Sequence, residues 1–189
     1  CEVAALRMAL GYRGVRTTEA ELLKKVGTDP TPRTGDVWGS APRSPDAIGA
    51  TWGDPDVAFV GNVDGIMSKT GYGVYARPIG RVAGEYRKAQ VIENGTPKLL
   101  AEEINAGNPV IVWGFIPSRG RRMTWKTLGG KDVQAVDGEH TRVVIGYTGE
   151  ADAPTGFLVL DPVYGEQYWS TDKFMKNWEP LGKTGVIVY

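Results

Sequence analysis

The chain carries one cysteine and one histidine, and the setting of each points to chemistry. Cys1 opens "CEVAALRMAL", where Val3, Leu6 and Leu10 recur at helical spacing. A thiol at the head of a helix feels the positive end of the macrodipole, which favours thiolate. His140 stands in "DGEHTRVVIGY" at the entrance to an apolar strand, and Asp161 closes the run "FLVLD" ahead of Pro162. Each residue also has an ordinary reading: a small buried side chain, a surface histidine at a strand end, a turn aspartate. Taken together they suit nucleophilic acyl transfer. Cys1 would attack a carbonyl, His140 would take the thiol proton and pass it to the leaving amine, and Asp161 would fix the imidazole's tautomer.

Such side chains need rigid seats. After the first helix, with Gly11 as its expected stop, "TEAELLKKVG" predicts a second, since Thr18 and Glu21 form a capping box and Gly27 follows the end. Residues 28–56 are rich in Pro, Gly, Asp and Ser, with "TDPTPRTGD" and "APRSPD" as turn signals; so long an irregular stretch suggests a functional surface. "DVAFVG" and "YGVYARPI" are short apolar pieces of undecided type. "GTPKLLAEEINAGNP" predicts a helix capped by Thr96, with Pro97 in its first turn, Leu99, Leu100 and Ile104 inward and Gly107 past the end. The character then turns to strands at 110–116, 141–147, 157–161 and 185–189, with one short helix, "STDKFMKNW", capped by Ser170 or Thr171. Helices first and strands later predict an α+β fold, the first helix packed on an antiparallel sheet that brings His140 and Asp161 to adjacent strand ends.

Composition narrows the classes. The 189 residues suit one domain, 41% apolar and 23% charged, as in soluble globular proteins. Lysine plus arginine equals aspartate plus glutamate at 22 each, so nucleic acid and anionic membranes have no electrostatic footprint to meet. No apolar run approaches the roughly 20 residues a membrane span requires. One cysteine excludes an internal disulfide, and one Cys with one His does not make a zinc set. No glycine-rich phosphate loop is present, and thiolate chemistry calls for no cofactor. Because the chain begins abruptly at its most interesting residue, it is expected to be a segment of a longer protein, its N-terminal part missing.

The segments "CEVAALRMAL", "GNPVIVWG", "GEHTRVVIGY", "LVLDPVYGEQYWS" and "FMKNW" resemble the papain-like cysteine peptidases related to double-glycine leader peptidases, some of which cut leader peptides in bacteriocin exporters. The resemblance runs over essentially the whole chain, most firmly over 96–189, and takes in "FVGNVDG" and "GYGVYARPI". It implies a papain-like fold, a peptide or protein substrate, a bacterial extracytoplasmic setting, and Cys1, His140 and Asp161 as nucleophile, general base and acid, and orienting residue. It also implies a glutamine a few residues before the cysteine, whose amide helps the cysteine's backbone N–H to form an oxyanion hole. Gln90, Gln134 and Gln167 do not stand at that position, so the glutamine is expected upstream of Cys1.

Two other functions fit the same residues. In an N-terminal-nucleophile hydrolase the α-amine of Cys1 would serve as its base, leaving His140 and Asp161 incidental. A catalytically silent peptide-binding module on the same fold is the other, though its cysteine, histidine and aspartate would then be free to vanish. Trp52, Trp113 and Trp125 could line a substrate groove or fill a core, and Glu139 could reach substrate beside His140 or tune its charge, although a neighbour in a strand points the other way. "SRGRRMTWK" predicts a solvated basic hairpin or a contact for an acidic partner. The double glycine in "LGG" at 128–130 is more simply a turn than a cleavage site.

Overall fold

A computed structural model describes residues 1–38 and 49–189. In chain order its elements are α1 (Glu2–Tyr12), α2 (Glu19–Val26), β1 (Thr28–Asp29), β2 (Phe59–Val60), α3 (Ala76–Gly84), β3 (Ala89–Ile92), α4 (Pro97–Asn105) and β4 (Val110–Phe115). There follow β5 (Arg122–Lys126), β6 (Asp132–Val136), β7 (Glu139–Glu150), β8 (Ala153–Asp161), β9 (Gly165–Ser170), α5 (Thr171–Trp178), a 3-10 turn (Glu179–Leu181) and β10 (Gly185–Val188). Helix and antiparallel sheet combine as the sequence pattern predicts.

The centre is a six-stranded sheet in the order β3-β10-β4-β7-β8-β9, every neighbour antiparallel. Alternation along its strands divides the apolar residues between two faces. Ile111, Trp113, Val143, Val186 and Val188 meet Leu6 and Leu10 of α1, Leu22 of α2 and Ile79 and Val82 of α3. Val110, Val112, Val144, Phe157 and Val159 face the other way, onto Leu100 of α4 and Phe174 and Trp178 of α5. The sheet is therefore covered on both sides, which is why its central strands read as nearly continuous apolar runs.

Local signals place most of the helices. Thr18 accepts from the Glu21 N–H while Glu21 reaches back to the Thr18 N–H, and Thr96 accepts from the Leu99 N–H. Ser170, rather than Thr171, caps α5 by accepting from the Lys173 N–H. The expected stop at Gly11 is not used: α1 runs on to Tyr12, and the chain turns at Gly14, whose φ of 80° is closed to most other residues. "YGVYARPI" proves to lead into α3, with Pro78 in its first turn, where no intrahelical N–H is lost. "DVAFVG" contributes only β2, paired in parallel with β1; "APRSPD" lies outside the described residues.

A third core sits beside the sheet. The hairpin β5–β6 buries Met123, Trp125, Val133 and Ala135 against Trp52, Tyr72, Val37 and Val60. One face of the expected solvated hairpin is thus buried. Its charges are largely answered within the chain, Arg119 by Asp137 and Lys126 by Asp132, while Arg121 stacks 4.9 Å above Trp38. Leu128 and Gly129 are the centre of the turn that joins the two strands, closed by the Gly130 N–H on the Thr127 carbonyl.

Candidate active site

Cys1 is the N-cap of α1, its carbonyl accepting the Ala5 N–H at 2.8 Å. Its side chain keeps about a quarter of its surface open and makes no capping bond, so the thiol is accessible at the positive end of the helix. Glu2, the first helical residue, is by contrast buried.

His140 is the second residue of β7, opposite Gly114 of β4, and Asp161 is the last of β8. The pairing of Val143 with Leu160 brings the end of β8 alongside Arg142, on the same face as His140 two residues away. There Asp161 Oδ2 lies 2.8 Å from His140 Nε2, while Oδ1 accepts the backbone N–H groups of Val163 and Tyr164 at 2.9 and 3.1 Å. Burial raises the Asp161 carboxyl, but those N–H groups and the imidazole outweigh it and leave the group below the ordinary carboxylate range. Burial, reinforced by the positive Arg142, lowers the His140 imidazole in spite of Asp161. A neutral ring beside an ionised carboxylate must carry its proton on Nε2, which makes Nδ1 the basic nitrogen.

Arg142 is a member of this cluster that sequence reading missed. Its Nε lies 2.9 Å from Asp161 Oδ2 but off the line of a hydrogen bond, so the contact is charge against charge. Its Nη1 donates to Asn177 Oδ1 at 3.2 Å, and its guanidinium sits 4.5 Å above the Trp169 ring. The i, i+2 spacing from His140 was a usable signal for Arg142; Asn177 on α5 gave none.

Six buried side-chain polar atoms lack a hydrogen-bond partner among the described residues, and four belong to the consecutive residues Glu139, His140, Thr141 and Arg142. Buried polar atoms are seldom left so, and a run of them marks a place shaped for something other than stability. His140 Nδ1 is one of the four. Cys1 is not hydrogen-bonded to it, although α1 packs on β7. The structure therefore joins His140 to Asp161 and leaves the thiol and Nδ1 apart. Catalytic hydrogen bonds are often long without substrate.

The expected substrate contacts fare differently. Trp52, Trp113 and Glu139 are each 1% exposed, so none offers a surface to an incoming chain. Trp113 donates from Nε1 to the Val74 carbonyl, Trp125 likewise to Gly53, and Trp52 packs against Tyr72 and Trp125. Large aromatic rings found the cores rather than a groove because burying them releases the most apolar surface. Alternation sends Glu139 away from His140, toward α1, where its carboxyl meets that of Glu2. Each glutamine is engaged elsewhere: Gln90 with the Tyr189 hydroxyl, Gln167 with the Trp169 indole, Gln134 through its carbonyl with Tyr75. A cleft of about 520 Å³ lined by Tyr75, Arg77, Glu93 and Leu181 includes none of Cys1, His140 and Asp161. Among the described residues no helix is long and apolar enough to cross a membrane.

Comparison with known proteins bears on the whole arrangement. The model of the Peptidase_C39 like family matches residues 1–186. A crystal structure from Bacillus anthracis, described as that of a C39-like peptidase, superposes with a TM-score of 0.76 at 25% identity, over 100% of this chain and 88% of its own. No curated protein matches.

Proposed function

We propose, from the premise that the chain belongs to the C39-like peptidase family, that it is a cysteine peptidase or amidase in which Cys1, His140 and Asp161 act together. The observation that carries this reading is the bond from His140 Nε2 to Asp161, which leaves a buried Nδ1 with no partner among the described residues. An imidazole so held is a base waiting for a proton donor. In the reaction Nδ1 takes the proton of the Cys1 thiol as sulfur adds to the substrate carbonyl. The imidazolium gives that proton to the leaving amine, and a thioester remains. Water, deprotonated by the same nitrogen, then releases the acid and regenerates the thiol. The negative charge that develops on the sulfur and passes to the carbonyl oxygen offsets burial and Arg142, so His140 becomes cationic only while an anion forms beside it. Asp161 keeps the ring's orientation throughout.

Alkylation of Cys1 by iodoacetamide, followed against pH, tests the reading. A thiol paired with the imidazole reacts well below the free-cysteine pKa of about 8.5, and His140→Ala loses that early reactivity. If the chain and H140A both react only at alkaline pH, the site is not a catalytic pair, and a peptide-binding role replaces it.

A further inference from the structure

The reverse face of the first residues of β7 holds a second polar cluster. Glu2 comes directly after Cys1 and Glu139 directly before His140, and both are buried, at 5% and 1% exposure. Their carboxyl groups lie over the same glycine. A Cβ on Gly73 would strike Glu139 Oε2 and would stand 2.6 Å from Glu2 Oε1, so the two oxygens close on one point. Glu2 Oε1 also accepts the Val74 N–H at 3.0 Å, and Glu2 Oε2 is 3.1 Å from the Cys1 backbone nitrogen. The segment beneath is pinned from below, as the Val74 carbonyl accepts the Trp113 indole N–H and Gly73 accepts from Val60. No cation among the described residues is within salt-bridge distance of Glu139, and its Oε1 has no partner.

Two carboxylates cannot both keep their charge in such a place, and neither is paired with a basic side chain among the described residues; a shared proton resolves the conflict. We propose that Glu2 and Glu139 are positioning residues, a buried carboxylic acid–carboxylate pair that ties the backbone beside Cys1 to the backbone beside His140. Glu139 holds the proton and donates it to Glu2, whose remaining acceptor capacity takes the Val74 N–H. Burial and then the neighbouring Glu2 charge put Glu139 well above the ordinary carboxyl range. Glu2 is also raised by burial, which the bond from Glu139 and the backbone N–H of Val74 oppose. Tyr72 and Tyr75, from the segment beside Gly73, face the pair, while Arg142, on the opposite face of β7, acts on Glu139 only through its charge; both tyrosines stay neutral in the working range because burial drives them up. The role rests on Cys1 and His140 being the reacting pair. Its logic is geometric: α1 carries the nucleophile, β7 the base, and the carboxyl pair sets how far apart they stand.

The test uses the chain with E139Q and E139A, each first checked for native circular dichroism and melting. Glutamine keeps a donor toward Glu2 but has no titrating proton, whereas alanine keeps neither. The difference infrared spectrum at pH 7 should show a protonated carboxylic acid that is absent from E139Q. Alkylation of Cys1 at pH 7 should fall by roughly tenfold to a hundredfold in E139A, as a misplacement near 1 Å would cost, and recover most of that loss in E139Q. An activated thiol without the carboxylic acid band overturns the shared proton and leaves the catalytic reading standing. The band with a thiol that reacts only at alkaline pH overturns the positioning role together with that reading. Equal reactivity in E139A, E139Q and the unaltered chain overturns the positioning role alone.

Discussion

The two faces of β7 solve one electrostatic problem in different ways. Both bury ionisable groups within the strand's first four residues. On the face toward α5, the Asp161 charge meets Arg142, the His140 N–H and two backbone N–H groups, so it is balanced by opposite charge and donors. On the face toward α1, Glu139 meets another carboxyl, and the repulsion is relieved by the proton we assign to the pair. The comparison teaches what each arrangement leaves free. Ion pairing holds a charge in place and leaves His140 Nδ1 available for chemistry. Proton sharing removes a charge and leaves a rigid link, suited to holding a helix against a strand.

Removing the charge from the first face should have the largest effect. Asp161→Asn keeps the shape but no longer dictates the tautomer, and peptide hydrolysis should slow by about 10² to 10⁴-fold while folding is retained. A fall in kcat with KM nearly unchanged is the expected split, and activity within a factor of two of the unaltered chain would detach Asp161 from the reaction. Arg142→Met next tests whether the guanidinium balances Asp161. Leaving a buried charge half-compensated should cost about 3–5 kcal/mol in urea unfolding, less whatever His140 recovers by taking up a proton. A cost below about 1 kcal/mol would show that the backbone N–H groups alone are enough.

The smallest effect separates the faces by sign. Asp161 and His140 both lie below their ordinary values of 3.8 and 6.5. Their stability is present above those values and is lost as pH falls through the folded ones. Glu139 lies well above 4.5, so its contribution is complete below 4.5 and is lost as pH rises toward its folded value. E139Q should abolish only the second dependence. Between pH 5 and 8 the stability of the unaltered chain should decline relative to E139Q, by at most about 1.4 kcal/mol per pH unit. Parallel stability curves would mean that Glu139 takes up no proton on folding.

Much of the frame was legible because the signals that write it are local. Caps at Thr18, Thr96 and Ser170 fix helix starts through bonds spanning three residues, and β-rich runs between glycines and prolines fix strands. The uniqueness of Cys1 and His140, with the strand-end place of Asp161, was enough to choose the candidates. Alternation was read for Glu139, which it turns away from the histidine, but not for Arg142, which it places on the histidine's face. The sequence by itself thus determined which residues bear chemistry and on which side of their element they stand. Only the tertiary structure decided what faces them. Glu2 reaches Glu139 because α1 packs on β7 beside Gly73; Trp113 is buried because α1 and α3 cover its face of the sheet, and Trp52 and Trp125 because the β5–β6 hairpin packs against the loops. Periodicity registers the side of an element on which a residue sits, whereas its partner across that side comes from packing between segments far apart in the chain.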